Sequence, residues 1–185
     1  MAYDGSDVRR DDPAAVPVKI LIAGGIGVGK TTLTGALTRM RPLLIEESVA
    51  MDFGRITISA GLVIYLFGMP GQKRFWFMWD DLSHGTLGAV VLADVRRLAD
   101  CIPAIDYFEH RSTPFVVALN YFPGTPRHGV DEVRKALDLD AHVPIVACDA
   151  RERGSCRDTL VTLVDHAIAL VDTAARAPSP SGSPL

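Results

Sequence analysis

The stretch Ile20-Leu21-Ile22-Ala23-Gly24-Gly25-Ile26-Gly27-Val28-Gly29-Lys30-Thr31-Thr32 decides the fold of this chain. It meets the spacing G-x-x-x-x-G-K-[ST] at Gly24, Gly29, Lys30 and Thr31. An apolar, β-branched run over 18–23 precedes it, and Leu33 and Leu37 follow on one helical face. Strand, glycine loop and helix are the context that this spacing requires. The glycines let successive backbone N–H groups turn inward and cradle phosphate oxygens. A helix starting near Lys30 adds its positive N-terminal end. Gly24, Gly25, Ile26, Gly27, Val28, Gly29, Lys30, Thr31 and Thr32 are therefore the candidate phosphate-binding residues. Within them Lys30 is placed to reach the β- and γ-phosphates, and the Thr31 hydroxyl to bind Mg²⁺.

The rest of the chain sets bounds on this reading. Its 185 residues, 48% of them hydrophobic, suit one domain with a sizeable core. A net charge of −3 without a dense basic run argues against a nucleic-acid partner. The longest apolar runs fall well short of a membrane span, so no integral membrane protein is expected. The acidic start, Met1 to Asp7, has no apolar signal core. Cys101, Cys148 and Cys156 lack metal-ligand spacing and read as reduced thiols of a cytoplasmic protein.

Outward from the loop, the pattern predicts a helix over 30–40, then an antiparallel hairpin from strands 49–58 and 62–67. A short helix over 75–82 follows, then a buried strand over 88–93 ending at Asp94, which is expected to be exposed. Alternating helices and strands continue: helix 99–110, strand 114–119, helix 131–137 and strand 144–147. The last helix, 155–175, carries Leu160, Leu163, Val164, Ala167, Ile168 and Val171 on one stripe. Residues 1–17 and 176–185 read as disordered tails around one domain, 18–175. The expected fold is α/β: a three-layer P-loop NTPase with a six-stranded, mostly parallel sheet and one antiparallel edge strand. The nucleotide belongs at the carboxyl ends of the strands.

With the phosphate loop, Val49-Ala50-Met51-Asp52-Phe53-Gly54-Arg55-Ile56, Phe67-Gly68-Met69-Pro70-Gly71-Gln72 and Cys148-Asp149-Ala150-Arg151 carry a resemblance. The chain resembles Ras-like small GTPases, specifically the bacterial MglA-like branch and the G proteins of actinobacterial conservon operons. That resemblance implies GTP/GDP and Mg²⁺ as ligands. It also implies a nucleotide-dependent switch with slow hydrolysis, in the cytoplasm or peripheral at the membrane through partners. A Roadblock-type small protein and a membrane sensor complex are the partners it suggests.

The resemblance assigns further residues. Ser48 falls where the family has a threonine that completes Mg²⁺ coordination, and Glu47 stands where MglA-type relatives carry a catalytic arginine. Gly71 offers an N–H to the γ-phosphate, and Gln72 matches the catalytic residue that orients the attacking water. Gly68 replaces the Mg²⁺-supporting Asp of ordinary Ras-like proteins. In the base-reading motif Asn120 survives, Tyr121 replaces the lysine that covers the base, and Pro123 replaces the guanine-reading Asp. Asp149, Ala150 and Arg151 match the second base loop. These losses keep two alternatives open: a pseudo-GTPase scaffold with little turnover, and a P-loop ATPase or kinase with Asp94 as its acidic residue. Trp76 and Phe77 are expected to point off the buried face of the 75–82 helix, towards a partner or a second copy of the chain.

Overall fold

The computed structural model describes residues 15–38, 43–46 and 49–176. The predicted tails lie almost wholly outside these residues, as do Glu47 and Ser48, the positions of the implied arginine and Mg²⁺ hydroxyl. The chain runs β1 (Val16–Gly24), α1 (Lys30–Thr38), β2 (Leu43–Glu46), β3 (Val49–Met51), β4 (Phe53–Ser59), β5 (Leu62–Gly68), a 3₁₀ turn (Lys73–Met78) and α2 (Trp79–Ser83). It continues with β6 (Thr86–Asp94), a second 3₁₀ turn (Leu98–Cys101), α3 (Ile102–His110), β7 (Phe115–Asn120), α4 (Val130–Ala136), β8 (Ile145–Cys148) and α5 (Arg153–Arg176).

Alternation along β1 explains the layers. Side chains on a strand point to opposite faces in turn. Ile20 and Ile22 enter a core with Leu33 of α1, Val90, and Leu160 and Leu163 of α5. Leu21 and Ala23 enter the opposite core with Val91, Trp79 of α2, Phe108 of α3 and Val133 of α4. Among the described residues the main sheet has six strands in the order β4-β5-β1-β6-β7-β8. All pairs are parallel except β4 with β5. From β1 the sheet grows one way through β5 and β4, and the other way through β6, β7 and β8. Such a switch point opens a crevice at the carboxyl end of β1, where the glycine loop begins.

The sheet matches the expected architecture, and three elements depart from the expected detail. The strand foreseen over 49–58 breaks at Asp52. Val49–Met51 instead pairs antiparallel with Leu43–Glu46 in a separate ribbon, and Phe53–Ser59 makes the hairpin with β5. The helix foreseen over 75–82 is a 3₁₀ turn running into a five-residue α2. On α5, Leu160, Leu163 and Ala167 are buried, but Ile168 and Val171 are exposed. No helix among the described residues is long and apolar enough to cross a membrane. All three cysteines are buried and free.

Candidate functional site

The loop after β1 bends where only glycine bends easily. Gly24 has φ +131° and Gly29 φ +109°, backbone that L side chains rarely adopt. A Cβ on Gly24 would lie 2.3 Å from the Leu92 carbonyl oxygen, and one on Gly29 2.7 Å from Asn120 Nδ2. Lys30 folds back over the loop, its Nζ donating to the carbonyls of Gly24 (3.0 Å) and Gly25 (2.8 Å). Burial lowers its pKa, and the charge of Asp52 works in the opposite direction. Ile26 and Gly27 are exposed at the loop apex, Val28 is buried beneath it, and Thr31 and Thr32 are exposed at the start of α1.

Thr31 Oγ1 donates to Asp52 Oδ2 at 2.7 Å. Asp52 is a site residue that the sequence reading quoted without assigning a role. It sits at the break between β3 and β4, opposite Gly68, whose N–H donates to the Asp52 carbonyl at 2.7 Å. A Cβ on Gly68 would fall 2.8 Å from the Asp52 Cβ. Side chains at 52 and 68 therefore compete for one space, and this chain places its carboxylate on the antiparallel neighbour. The signal was an acidic residue in an otherwise apolar strand pattern, and it gains meaning only with the β4–β5 register. A hydroxyl and a carboxylate side by side are hard oxygen donors of the kind Mg²⁺ prefers.

The loop after β5 presses on the same glycines. A Cβ on Gly71 would lie 3.0 Å from the Gly24 carbonyl oxygen and 3.2 Å from the Ile26 nitrogen. Trp79 Nε1 anchors this loop by donating to the Pro70 carbonyl at 3.1 Å. Gln72 is exposed at the entrance to the 3₁₀ turn and makes no side-chain cap. Of the two aromatics expected to point off the buried face, Phe77 is 76% exposed. Trp76 instead packs against the core and Trp79, its buried Nε1–H without a hydrogen-bond partner.

Asn120 ties the phosphate loop to the loop after β8. Its Nδ2 donates to the Val28 carbonyl at 2.8 Å, and its Oδ1 accepts from the Ala150 N–H at 3.2 Å. Beside it lies a cavity of about 480 Å³ lined by Tyr121, Phe122, Pro123, Arg127, Asp149 and Arg151, among others. Arg127 stacks over Tyr121, with its guanidinium 5.2 Å from the ring centre. Arg151 grips Asp149 through Nε (2.8 Å) and Nη2 (2.6 Å) and holds that carboxyl down at about 2. A larger cavity of about 850 Å³, lined by Phe108, Phe115, His142 and His166, contains none of the predicted site residues.

Asp94 corrects an expectation. It is 3% exposed rather than solvated. Arg96 takes both of its oxygens, Nε donating to Oδ1 at 2.9 Å and Nη2 to Oδ2 at 2.6 Å. Its carboxylate is thus committed to an arginine, while Asp52 serves Thr31.

Comparison with known proteins agrees with this geometry. The G domain of the Thermotoga maritima FeoB iron transporter superposes with a TM-score of 0.63 at 20% identity, covering 82% of this chain and 99% of that one. The FeoB G domain of Methanococcus jannaschii gives 0.61 at 18%, covering 80% and 98%. At such identities the likeness concerns the fold. By sequence, the chain is 33% identical over 107 residues to the uncharacterised protein MJ1339 of Methanocaldococcus jannaschii, spanning 56% of this chain and 69% of that protein. Residues 46–170 match the family described as "Conserved hypothetical ATP binding protein". The chain belongs to that family, and it is a nucleotide-binding P-loop protein with the G-domain fold.

Proposed function

We propose that this protein is a small GTP-binding switch of the MglA-like, conservon-associated kind, holding GTP or GDP with Mg²⁺ and hydrolysing GTP slowly. One observation carries the reading. Gly71 packs directly on Gly24 to Ile26, which sets the segment leading to Gln72 and the aromatic turn against the loop that would seat a γ-phosphate.

The roles then follow from the residues. The loop N–H groups and Lys30 hold the phosphates. Thr31 and Asp52 would hold the Mg²⁺, with Ser48 a further hydroxyl candidate. When bound, the ion neutralises charge on the β- and γ-phosphates. Gln72 orients water. Tyr121 stacks on the purine, Asn120 keeps the loops in register, and Ala150, Asp149 and Arg151 face its edge. Partners follow from the same surface: a Roadblock-type protein, a membrane sensor complex, or a second copy of the chain docking on Phe77. Membrane association would then come through partners.

A second reading, ATP, is favoured by the family description and by Pro123, which offers no carboxylate to guanine. Competition binding of GDP, GTP, ADP and ATP, with and without Mg²⁺, tests both. We expect guanine nucleotides to win, but by far less than the roughly 10⁴–10⁵ that a fully hydrogen-bonded site can reach. Tighter binding of ADP and ATP would overturn the GTP reading. Binding of GTP with no phosphate release over hours would make the protein a scaffold rather than a slow GTPase.

A further inference from the structure

Three consecutive carbonyls of the phosphate loop are held by two cations. Lys30 takes those of Gly24 and Gly25. Arg97 takes the next, its Nη2 donating to the Ile26 carbonyl at 2.9 Å. Arg97 comes from the segment after β6, seventy-one residues along the chain from Ile26. Its position is built. The Arg97 N–H donates to the Asp94 carbonyl at 2.8 Å, and its Nε lies 3.5 Å from Asp100 Oδ2. Asp100 in turn backs onto the loop, since a Cβ on Gly25 would fall 2.7 Å from the Asp100 Cβ. The head group nevertheless stays about half exposed, with 53% of the side chain accessible. It sits on the loop apex beside exposed Ile26, on the stretch that Gly71 also touches.

The geometry points to Arg97 as a built-in arginine that stabilises charge during hydrolysis, supplied from the segment after β6 and not from the loop that holds Glu47. This rests on the reading of the site as GTP-hydrolysing. In the step, the water oxygen bonds to the γ-phosphorus. The bond from that phosphorus to the β–γ bridging oxygen breaks, and its electron pair stays on GDP. Both water protons leave with the inorganic phosphate, as dihydrogen phosphate. Negative charge grows on the bridging and β-oxygens, and a guanidinium released from the Ile26 carbonyl is one side-chain swing away. Its restraints are the ion pair to half-exposed Asp100, a longer contact with Asp94 Oδ2 at 4.0 Å and one carbonyl bond, which together are weak enough to exchange. A well-placed arginine is worth roughly 10³–10⁵ in rate; one recruited by exchange should give less, on the order of 10–100-fold.

Arg97→Ala, Arg97→Gln and Arg97→Lys separate charge from loop support, because glutamine can still donate to the Ile26 carbonyl. GDP affinity, capture of aluminium fluoride by the GDP complex, and single-turnover GTP hydrolysis are measured on each full-length chain. The expected result is GDP affinity within about threefold of the parent for all three. Aluminium fluoride capture and the 10–100-fold rate advantage are lost in the Ala and Gln forms and partly kept in the Lys form. Parent-like capture and rate in the Gln form would make Arg97 a loop strut and overturn the inference while leaving the GTPase reading intact. Failure of the parent itself to bind GDP would overturn both.

Discussion

Buried Asp52 and exposed Thr31 share a 2.7 Å hydrogen bond at the edge of the site, and that corner makes the first test at the residue scale. Asp52→Asn keeps the shape and the bond to Thr31 but removes the charge. Loss of a metal-site partner of this kind typically costs about 10–100-fold in metal affinity, so the Mg²⁺ concentration that half-stabilises bound nucleotide should rise by about that factor. Nucleotide dissociation measured across a Mg²⁺ titration reports it. An unchanged midpoint would mean that Asp52 only fastens β4 to α1. Asn120 was named on the resemblance alone, its partners Val28 and Ala150 lying far along the chain, whereas the glycine loop and Lys30 were legible because their geometry is local to a short motif. Asp52 was not, because its partner is Gly68 across a hairpin and Thr31 on a helix. Asp94 misled for the opposite reason: a strand-end acid looks solvated until Arg96, two residues on, is seen to fold back over it.

Elements show a second limit of pattern reading. The apolar stripe of α5 is real along the sequence, yet its burial stops at Ala167. A helix of 24 residues is about 36 Å long at 1.5 Å per residue. β6, the longest strand it packs on, has nine residues, about 30 Å at 3.3 Å each. The helix overshoots its platform, and periodicity cannot say where a platform ends. Leu163→Ala should therefore cost about 2–5 kcal/mol, whereas Ile168→Gln and Val171→Gln should each stay within about 0.5 kcal/mol. Urea denaturation of the three variants checks this. A large loss at Ile168 or Val171 would show that a second chain covers the last turns of the helix in solution. The break of the predicted 49–58 strand has a related cause. Gly54, just past the break, lies under α1, where a Cβ would meet Thr38 Cγ2 at 2.3 Å, and the segment from Phe53 onward follows the sheet while Val49–Met51 pairs with β2.

At the scale of the whole molecule, the two cores meet at one sheet, and the phosphate loop is the exit from its central strand. The loop packs on β6 through Gly24 and Leu92, on the segment after β5 through Gly71, and on the loop after β8 through Asn120 and Ala150. Nucleotide binding should therefore stabilise the entire fold. A ligand that binds only the native state adds about 2.7 kcal/mol at one hundred times its Kd. For a domain of this size, each kcal/mol moves Tm by about 2–4 °C, so saturating GDP with Mg²⁺ should raise Tm by about 5–10 °C. Chelating the Mg²⁺ should remove part of that shift. Lys30→Ala should remove nearly all of it, because that variant loses the cation spanning Gly24 and Gly25. Comparing GDP with ADP at equal concentration then converts base preference into degrees: a tenfold affinity difference is about 1.4 kcal/mol, or about 3–6 °C. No shift with any purine nucleotide, in a parent protein that unfolds cooperatively, would show that the cradle is built but not used.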